Sequence, residues 1–348
     1  MPVTIVSFII VLGVLIFVHE FGHFLAAKAV GIRVERFSLG FPPRLIGKKI
    51  GDTDYCISAI PFGGYVKMAG MIDESLDTDS IKGEPWEFMS KPLWARFLAI
   101  FSGPLMNLLL AIVVFGLLAY WAGVGVPVGP VVGEVQPGMP AEKAGFQPGD
   151  HIVEIDGQRI SSWEQLTRVI HASAGKPLTI IRQRNGNIDT VSVTPVKDAV
   201  QGIGLIGIAP QMRTERVGPL RALASGASYC WYLSKLLGRS LALMATGQVS
   251  WREGLGGPVR IAQMAGESAR RGFSSFLAFL GFISLNLGWI NLLPVPALDG
   301  GHLVLLLIEG VSRRPVSNKV RVIVQQIGMA LLIAIMILAV INDLIRIL

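Results

Sequence analysis

His19, Glu20 and His23 stand in the spacing H-E-x-x-H inside an otherwise apolar stretch. On a helix, positions four apart share a face, so the two imidazoles project side by side with the carboxylate next to them. Two neutral imidazoles so spaced suit a zinc ion, and an adjacent glutamate suits a base that takes a proton from water. Residues 3–18 carry no charge, and the apolar run resumes to residue 27. An ionised side chain at the centre of a bilayer span costs on the order of 3 kcal/mol or more. A bound metal that does chemistry offsets that penalty. Ordinary helix packing of the histidines leaves Glu20 to find a partner of its own.

Catalytic zinc takes three protein ligands and keeps an open position, so a third ligand has to come from another span. The segment from Asn291 to Gly301 supplies a carboxylate, Asp299. Pro294 and Pro296 break the helix there and leave extended backbone, which survives at membrane depth only where protein or a cavity covers it. That places Asp299 on unwound chain and lets Asn291 point an amide into the same cavity. Asp-Gly is also a common turn pair, so Asp299 stands open here between ligand and turn residue. Asn286 either lines the cavity or hydrogen-bonds between helices. His302 reads as an interface or supporting residue, Asn107 as packing between spans, Gly22 as a point of close helix approach, and His151 and His171 as surface histidines.

Of the 348 residues, 51% are hydrophobic and 16% charged, and the mean hydropathy is +0.56. Soluble domains carry about 25% charged residues. The pattern predicts a polytopic α-helical membrane protein with about four transmembrane helices, at 3–27, 94–121, 273–293 and 321–341, each near the roughly 20 residues a span needs. The net charge of +7 lies beside apolar blocks without interleaved aromatics, which argues against nucleic acid. Cys56 and Cys230 are too few for a disulfide framework and do not form a metal-ligand pair. No cation precedes the first apolar run, Lys28 being the first, so that run does not read as a cleaved signal peptide.

Lysine and arginine cluster between the first two spans (Lys28, Arg33, Arg36, Arg44, Lys48 and Lys49 among them) and again at Arg313, Arg314 and Lys319. That bias predicts both loops in the cytoplasm, with the termini and the long segment between spans two and three outside. The stretch 219–249 is apolar but holds Lys235 and Arg239. It reads as helices on the membrane surface, with a fifth span as the alternative. In the first loop, strand-like alternation at 32–39, 55–60 and 65–68 is broken by Gly40, Pro42, Pro43, Gly51 and a turn at 61–64. Either short hairpins form a membrane-associated β-rich loop, with an edge able to pair with an extended substrate, or the loop is simply solvated.

From 124 to 212 the hydropathy falls. Ala141 to Gly157 reads A-x-x-A-G-F-x-x-G-D-x-I-x-x-I-D-G, with strands expected at 131–135, 178–183 and 190–193 and an amphipathic helix at 163–172. This segment resembles a PDZ domain, a small mixed α/β, barrel-like fold, present once. The expected organisation is an N-terminal membrane part (1–123), the PDZ insert (124–212), membrane-surface amphipathic helices (213–272) and a C-terminal membrane part (273–348).

H-E-x-x-H on the first span, N-x-x-P-x-P-x-x-D-G from Asn291 to Gly300, and G-P-x-x-N from Gly103 to Asn107 together resemble the site-2 protease family of zinc intramembrane metalloproteases, in its bacterial regulator of sigma-E protease branch. The resemblance covers nearly the whole chain. One departure is the single PDZ where the best-known member has two, which puts gating by paired domains in doubt. The resemblance implies Zn2+ held by His19, His23 and Asp299, with Glu20 as the base that activates the zinc-bound water. It implies that Asn291 holds the substrate or its developing oxyanion. Peptide bonds inside a helix are shielded, so the substrate has to unwind locally, and Asn286, Gly63 and Gly64 are expected to contact it. The implied substrates are single-pass membrane proteins, such as anti-sigma factors, or remnant signal peptides. A peptide C-terminus is expected at the PDZ groove, and the lipid bilayer rather than nucleic acid as surroundings. The location implied is multi-pass in the bacterial inner (cytoplasmic) membrane, with the PDZ extracytoplasmic. Two other classes stay open. A metal transporter expects polar residues along a path across the membrane, and the remaining spans offer few. A silent scaffold working through its PDZ expects His19 and His23 substitutions to leave function intact.

Overall fold

The uncharged N-terminal run folds as one helix, α1 (Pro2–Ala29). Its buried residues Ser7, Val11, Leu15, Gly22, His23, Ala26 and Ala27 follow the four- and seven-residue repeat of one helix face, while Val3, Ile5, Val6, Ile9 and Ile10 are exposed. One stripe therefore packs on protein and carries the histidines inward, and the other faces suit lipid. The computed structural model describes residues 2–72, 81–198, 202–248 and 257–347. The chain divides into two compact units, one formed by Met1–Ala119 with Pro219–Leu348 and the other by Tyr120–Gly218. The segments on both sides of the insert thus build a single unit.

In the first unit the loop after α1 forms β1 (Val34–Ile50) and β2 (Thr53–Met68). Both strands bend, and their register shows four shorter segments. Arg36 to Leu39 pair with Lys67 to Gly64 in opposed directions and also lie beside Asp54 to Ile57, while Ile46 to Ile50 pair with Ile57 to Thr53. The bends fall at 40–43 and 60–64, where glycine and proline stand. Gly40 takes φ 94° at the first of them, and the buried Ser38 hydroxyl donates to its carbonyl at 2.9 Å. The segment 44–50, given no strand by sequence, is exposed throughout. A ribbon with both faces in solvent has no alternation to detect.

Among the described residues, four helices are long and apolar enough to cross a membrane: α1, α2 (Leu93–Ala122), α7 (Phe273–Asn291) and residues Asn318–Asp343 of α9 (Asn318–Ile347). Between α2 and α7 the unit also holds α5 (Pro219–Ala245) and α6 (Pro258–Arg270); Val249, at the end of the ambiguous stretch, lies outside the described residues. The backbone N–H groups of Gly257, Val259 and Arg260 all donate to the Asp343 carboxylate of α9, each at 3.1 Å, so a distant side chain caps α6.

One expectation needs correcting. Asp299 is not on unwound chain. The prolines do end α7 at Asn291, and 292–298 is irregular with Ala297 at φ 70°, but α8 (Asp299–Ser312) then begins at Asp299 itself. A carboxylate in a first turn faces unpaired N–H groups, a favourable place for negative charge. The sequence signal for α8 is the apolar run Leu303 to Ile308, which is too short for a span.

The second unit is wider than 124–212 because β10 (Ile208–Glu215) runs back along β3 (Val124–Val135) until Glu215 faces Val124. The sheet continues through β4 (His151–Ile155), β6 (Leu178–Arg184) and β7 (Asn187–Val193). β5 (Gln158–Arg159) hangs off β4, and β8 (Val196–Lys197) pairs β9 (Gly204–Leu205) apart from the sheet. Two helices complete it: α3 (Pro140–Lys143) and α4 (Trp163–Ala172). Ser162 caps α4 by accepting from the Gln165 N–H at 3.2 Å, and Gln165 reaches back to the Ser161 N–H at 3.1 Å, a reciprocal pair that fixes where the helix starts. Leu166 and Ile170, four apart on α4, bury against Val132, Ile152, Ile155 and Ile180 of the strands.

Candidate metal centre

α1 sets the His19 and His23 rings 4.8 Å apart between centroids, at 84° to each other. Nδ1 of His23 donates to the Ala99 carbonyl of α2 at 2.8 Å. A carbonyl only accepts, so that nitrogen carries the hydrogen and Nε2 keeps a lone pair in the neutral ring. Nε2 lies 3.2 Å from Nε2 of His19 and 3.4 Å from Oδ1 of Asp299, and His19 Nε2 lies 3.2 Å from Oδ2 of Asp299. The ligand atoms of the three residues all fall within 4.8 Å of one another. A lone pair aimed at a carboxylate and at a second ring nitrogen is repulsive unless a cation or a proton stands between. Two imidazoles and a carboxylate are a donor set that fits catalytic zinc.

The neighbouring elements hold this arrangement by close approach. A Cβ on Gly103 of α2 would run into the His23 ring, and one on Gly22 would strike the Ser102 carbonyl. A Cβ on Gly64 would meet Ile16 Cγ2 at 2.7 Å, the Ser38 carbonyl oxygen at 2.9 Å and Glu20 Cγ at 3.1 Å, so only glycine lets β2 lie this near α1. Glu20, Gly63, Gly64, Asn291, Asp299 and His302 all line one cavity of about 410 Å³.

Most residues singled out in the sequence therefore meet, although 280 positions separate His19 from Asp299. Asn291 brings its amide nitrogen to 3.5 Å from His19 Nε2. Asn286 does not join them. Five residues before Asn291 on α7 is well round the helix, and its amide donates to the Phe282 carbonyl of its own helix at 2.7 Å. His302 enters the cavity because it lies one turn after Asp299 on α8. Asn107, expected as packing, instead touches His19, its Nδ2 lying 3.2 Å from Nδ1. Its spacing of four from Gly103 was the available signal, since both fall on one face of α2. His171, expected at the surface, lines a groove of about 180 Å³ in the second unit together with Trp163, Thr167, Leu205 and Ile208.

The sequence profile of peptidase family M50 matches residues 7–335. A Mesorhizobium japonicum protein provisionally described as a zinc metalloprotease is 37% identical, with 98% of each chain covered. A Clostridium acetobutylicum protein of the same description is 36% identical, over 97% of this chain and 96% of its own. The zinc metalloprotease RasP of Geobacillus kaustophilus is 32% identical, over 98% and 97%. Among solved structures, the PDZ domain of an SdrC-like protein from Listeria innocua is 26% identical, covering 26% of this chain and 99% of that one, at a TM-score of 0.22.

Proposed function

This chain belongs to peptidase family M50 and is a zinc metalloendopeptidase, and from that premise we propose that it cuts single-pass membrane proteins within their membrane spans. The observation that carries the proposal is that His19 and His23, on a helix able to cross a membrane, meet Asp299 beside a cavity that Glu20 also lines.

His19, His23 and Asp299 hold the metal. Zinc bound there supplies Lewis acidity, which polarises a carbonyl and lowers the pKa of a water toward about 7. Glu20 takes the proton from the attacking water and delivers it to the leaving amine. Asn291, a neutral donor beside His19, holds the carbonyl oxygen as charge develops without repelling the metal. A helical substrate shields its peptide bonds, so it has to unwind. Among the described residues, no further strand pairs with the outer edge of Gly64 to Met68, and Gly63, Gly64, Tyr65 and Val66 line the cavity. An extended substrate adds there as a strand.

The lysine and arginine bias favours the loops at 28–93 and 313–317 in the cytoplasm, with the second unit on the outer side of a bacterial inner membrane. That unit acts as a PDZ domain. Its groove between α4 and the Leu205 to Ile208 segment takes the C-terminus of a substrate already trimmed outside, an anti-sigma factor or a remnant signal peptide.

The test is Glu20→Gln in the full chain, with zinc measured by elemental analysis and cleavage of a co-expressed single-span reporter mapped by mass spectrometry. The expected protein keeps its zinc and no longer cuts. Continued cleavage would refute the assigned base, and wild-type cuts lying outside the reporter's span would refute the intramembrane substrate class.

A further inference from the structure

Asn107 has no exposed surface, and its Oδ1 is a buried oxygen with no hydrogen-bond partner among the described residues, while its Nδ2 lies 3.2 Å from His19 Nδ1. A buried carbonyl oxygen left unpaired costs about 1–3 kcal/mol. The oxygen and nitrogen of a carboxamide occupy nearly the same space, so a half-turn of the amide exchanges them at no steric cost.

His19 decides which way round the amide belongs. Its Nε2 faces His23 and Asp299. If that nitrogen gives its lone pair to zinc, Nδ1 carries the ring hydrogen and has to donate. An NH2 group against that N–H sets donor against donor, whereas the amide oxygen accepts from it and leaves no orphan there. We propose that Asn107 is a positioning residue of the metal centre: its carboxamide oxygen accepts from His19 Nδ1–H and fixes the tautomer and rotation that turn Nε2 toward the metal.

The surroundings support a fixed acceptor. The Ser284 hydroxyl of α7, itself fully buried, donates to the Asn107 backbone carbonyl at 2.7 Å. Ala99, Gly103 and Asn107 are spaced by four and share one face of α2. Ala99 orients His23 through its carbonyl, Gly103 admits the His23 ring, and Asn107 orients His19. The Gly103 carbonyl also approaches the His19 ring. Its helix bond to the Asn107 N–H occupies one lone pair and leaves a second, as at Ala99, so Gly103 and Asn107 both present acceptors to that ring.

The inference rests on His19, His23 and Asp299 holding zinc, and the experiment separates the two claims. Zinc affinity is measured by chelator competition on the full chain in detergent for the wild type, Asn107→Asp and Asn107→Leu, with thermal unfolding of the metal-free proteins and the absorption of the Co2+-loaded forms alongside. Aspartate keeps an acceptor; leucine keeps bulk without one. Asn107→Leu is expected to bind roughly 10- to 100-fold more weakly and to show an altered Co2+ spectrum, while Asn107→Asp holds zinc as the wild type does or tighter. Wild-type affinity in a folded Asn107→Leu overturns the proposal, as does zinc lost from a folded Asn107→Asp. If Asn107→Leu fails to fold, the aspartate result alone decides. A wild-type chain that binds no zinc refutes the metal reading itself.

Discussion

Among the described residues, each unit buries a carboxylate between two arginines, but the two clusters are built from different ranges of sequence. In the second unit Asp150 accepts from Arg182 Nη1 at 3.2 Å, from Arg184 Nε at 2.6 Å and Nη2 at 2.8 Å, and from the Gln147 N–H at 2.9 Å. Arg182 and Arg184 alternate on β6, so one strand brings both to the same face. In the first unit Glu309 of α8 accepts from Arg96 Nη1 of α2 at 2.8 Å, from Arg321 of α9 and from the Val316 N–H at 2.7 Å. Arg96 and Glu309 are 213 residues apart. The Asp150 cluster needs only one sheet, whereas the Glu309 cluster needs α2, α8 and α9 already together. Two of those, α2 and α8, belong to the candidate metal centre too: α8 begins at Asp299, and Ala99, one turn from Arg96, holds His23. Burial alone pushes both carboxyls up, but the hydrogen bonds and guanidinium charges outweigh it and hold both below the ordinary carboxylate range.

The contrast yields tests of decreasing effect. Asp299→Ala breaks the long-range site outright, and both reporter cleavage and zinc stoichiometry are expected to vanish; a mutant that keeps its metal would put the third ligand elsewhere. Glu309→Ala leaves two buried guanidinium groups without their acid and is expected to destabilise the chain by about 3–5 kcal/mol, read by thermal unfolding in detergent. Replacing Arg96, Glu309 and Arg321 together with methionine, leucine and methionine should recover most of that stability. Whether zinc affinity recovers as well shows if the cluster places α8 or only neutralises charge.

Asp150→Asn should cost about 1–3 kcal/mol and speed hydrogen exchange in β4 and β6 while zinc content stays unchanged. Loss of zinc would mean that the two clusters are not independent. Because the folded Asp150 and Glu309 pKa values are depressed, each carboxylate stabilises above its unfolded value, near 3.9 and 4.3. Each contribution is lost as pH falls through the folded value. Hydrogen exchange in β4 should therefore hold steady from pH 7 to about 5 and rise below about 4, once corrected for the intrinsic exchange rate. The smallest effect is expected from His171→Asp, which puts a negative charge in the groove of the second unit. KM for a substrate with a free C-terminal carboxylate should rise with kcat unchanged, and an unchanged KM would remove the carboxylate from the groove.

How much was legible beforehand differs in the same way. H-E-x-x-H, the four apolar runs and the helix at Trp163 to Ala172 depend on spacing within a few turns, which a sequence carries directly. The role of Asn107 did not show, because its spacing of four from Gly103 puts both on one face of α2 without saying which side chain that face meets. Asn286 looked like a cavity residue beside Asn291 until the helix turned it away. α8 was invisible because a 14-residue helix is too short for a span and follows two prolines.

The sequence by itself determined which side chains could bind a metal and which helices could lie in lipid, because ligand chemistry and hydropathy are properties of residues and short spacings. Only the tertiary structure decided that Asp299 opens a helix, that α2 serves both histidines, and that Glu309 joins α2 to α8. Those are matters of where distant segments meet, and that is set by the packing of whole helices rather than by any local pattern.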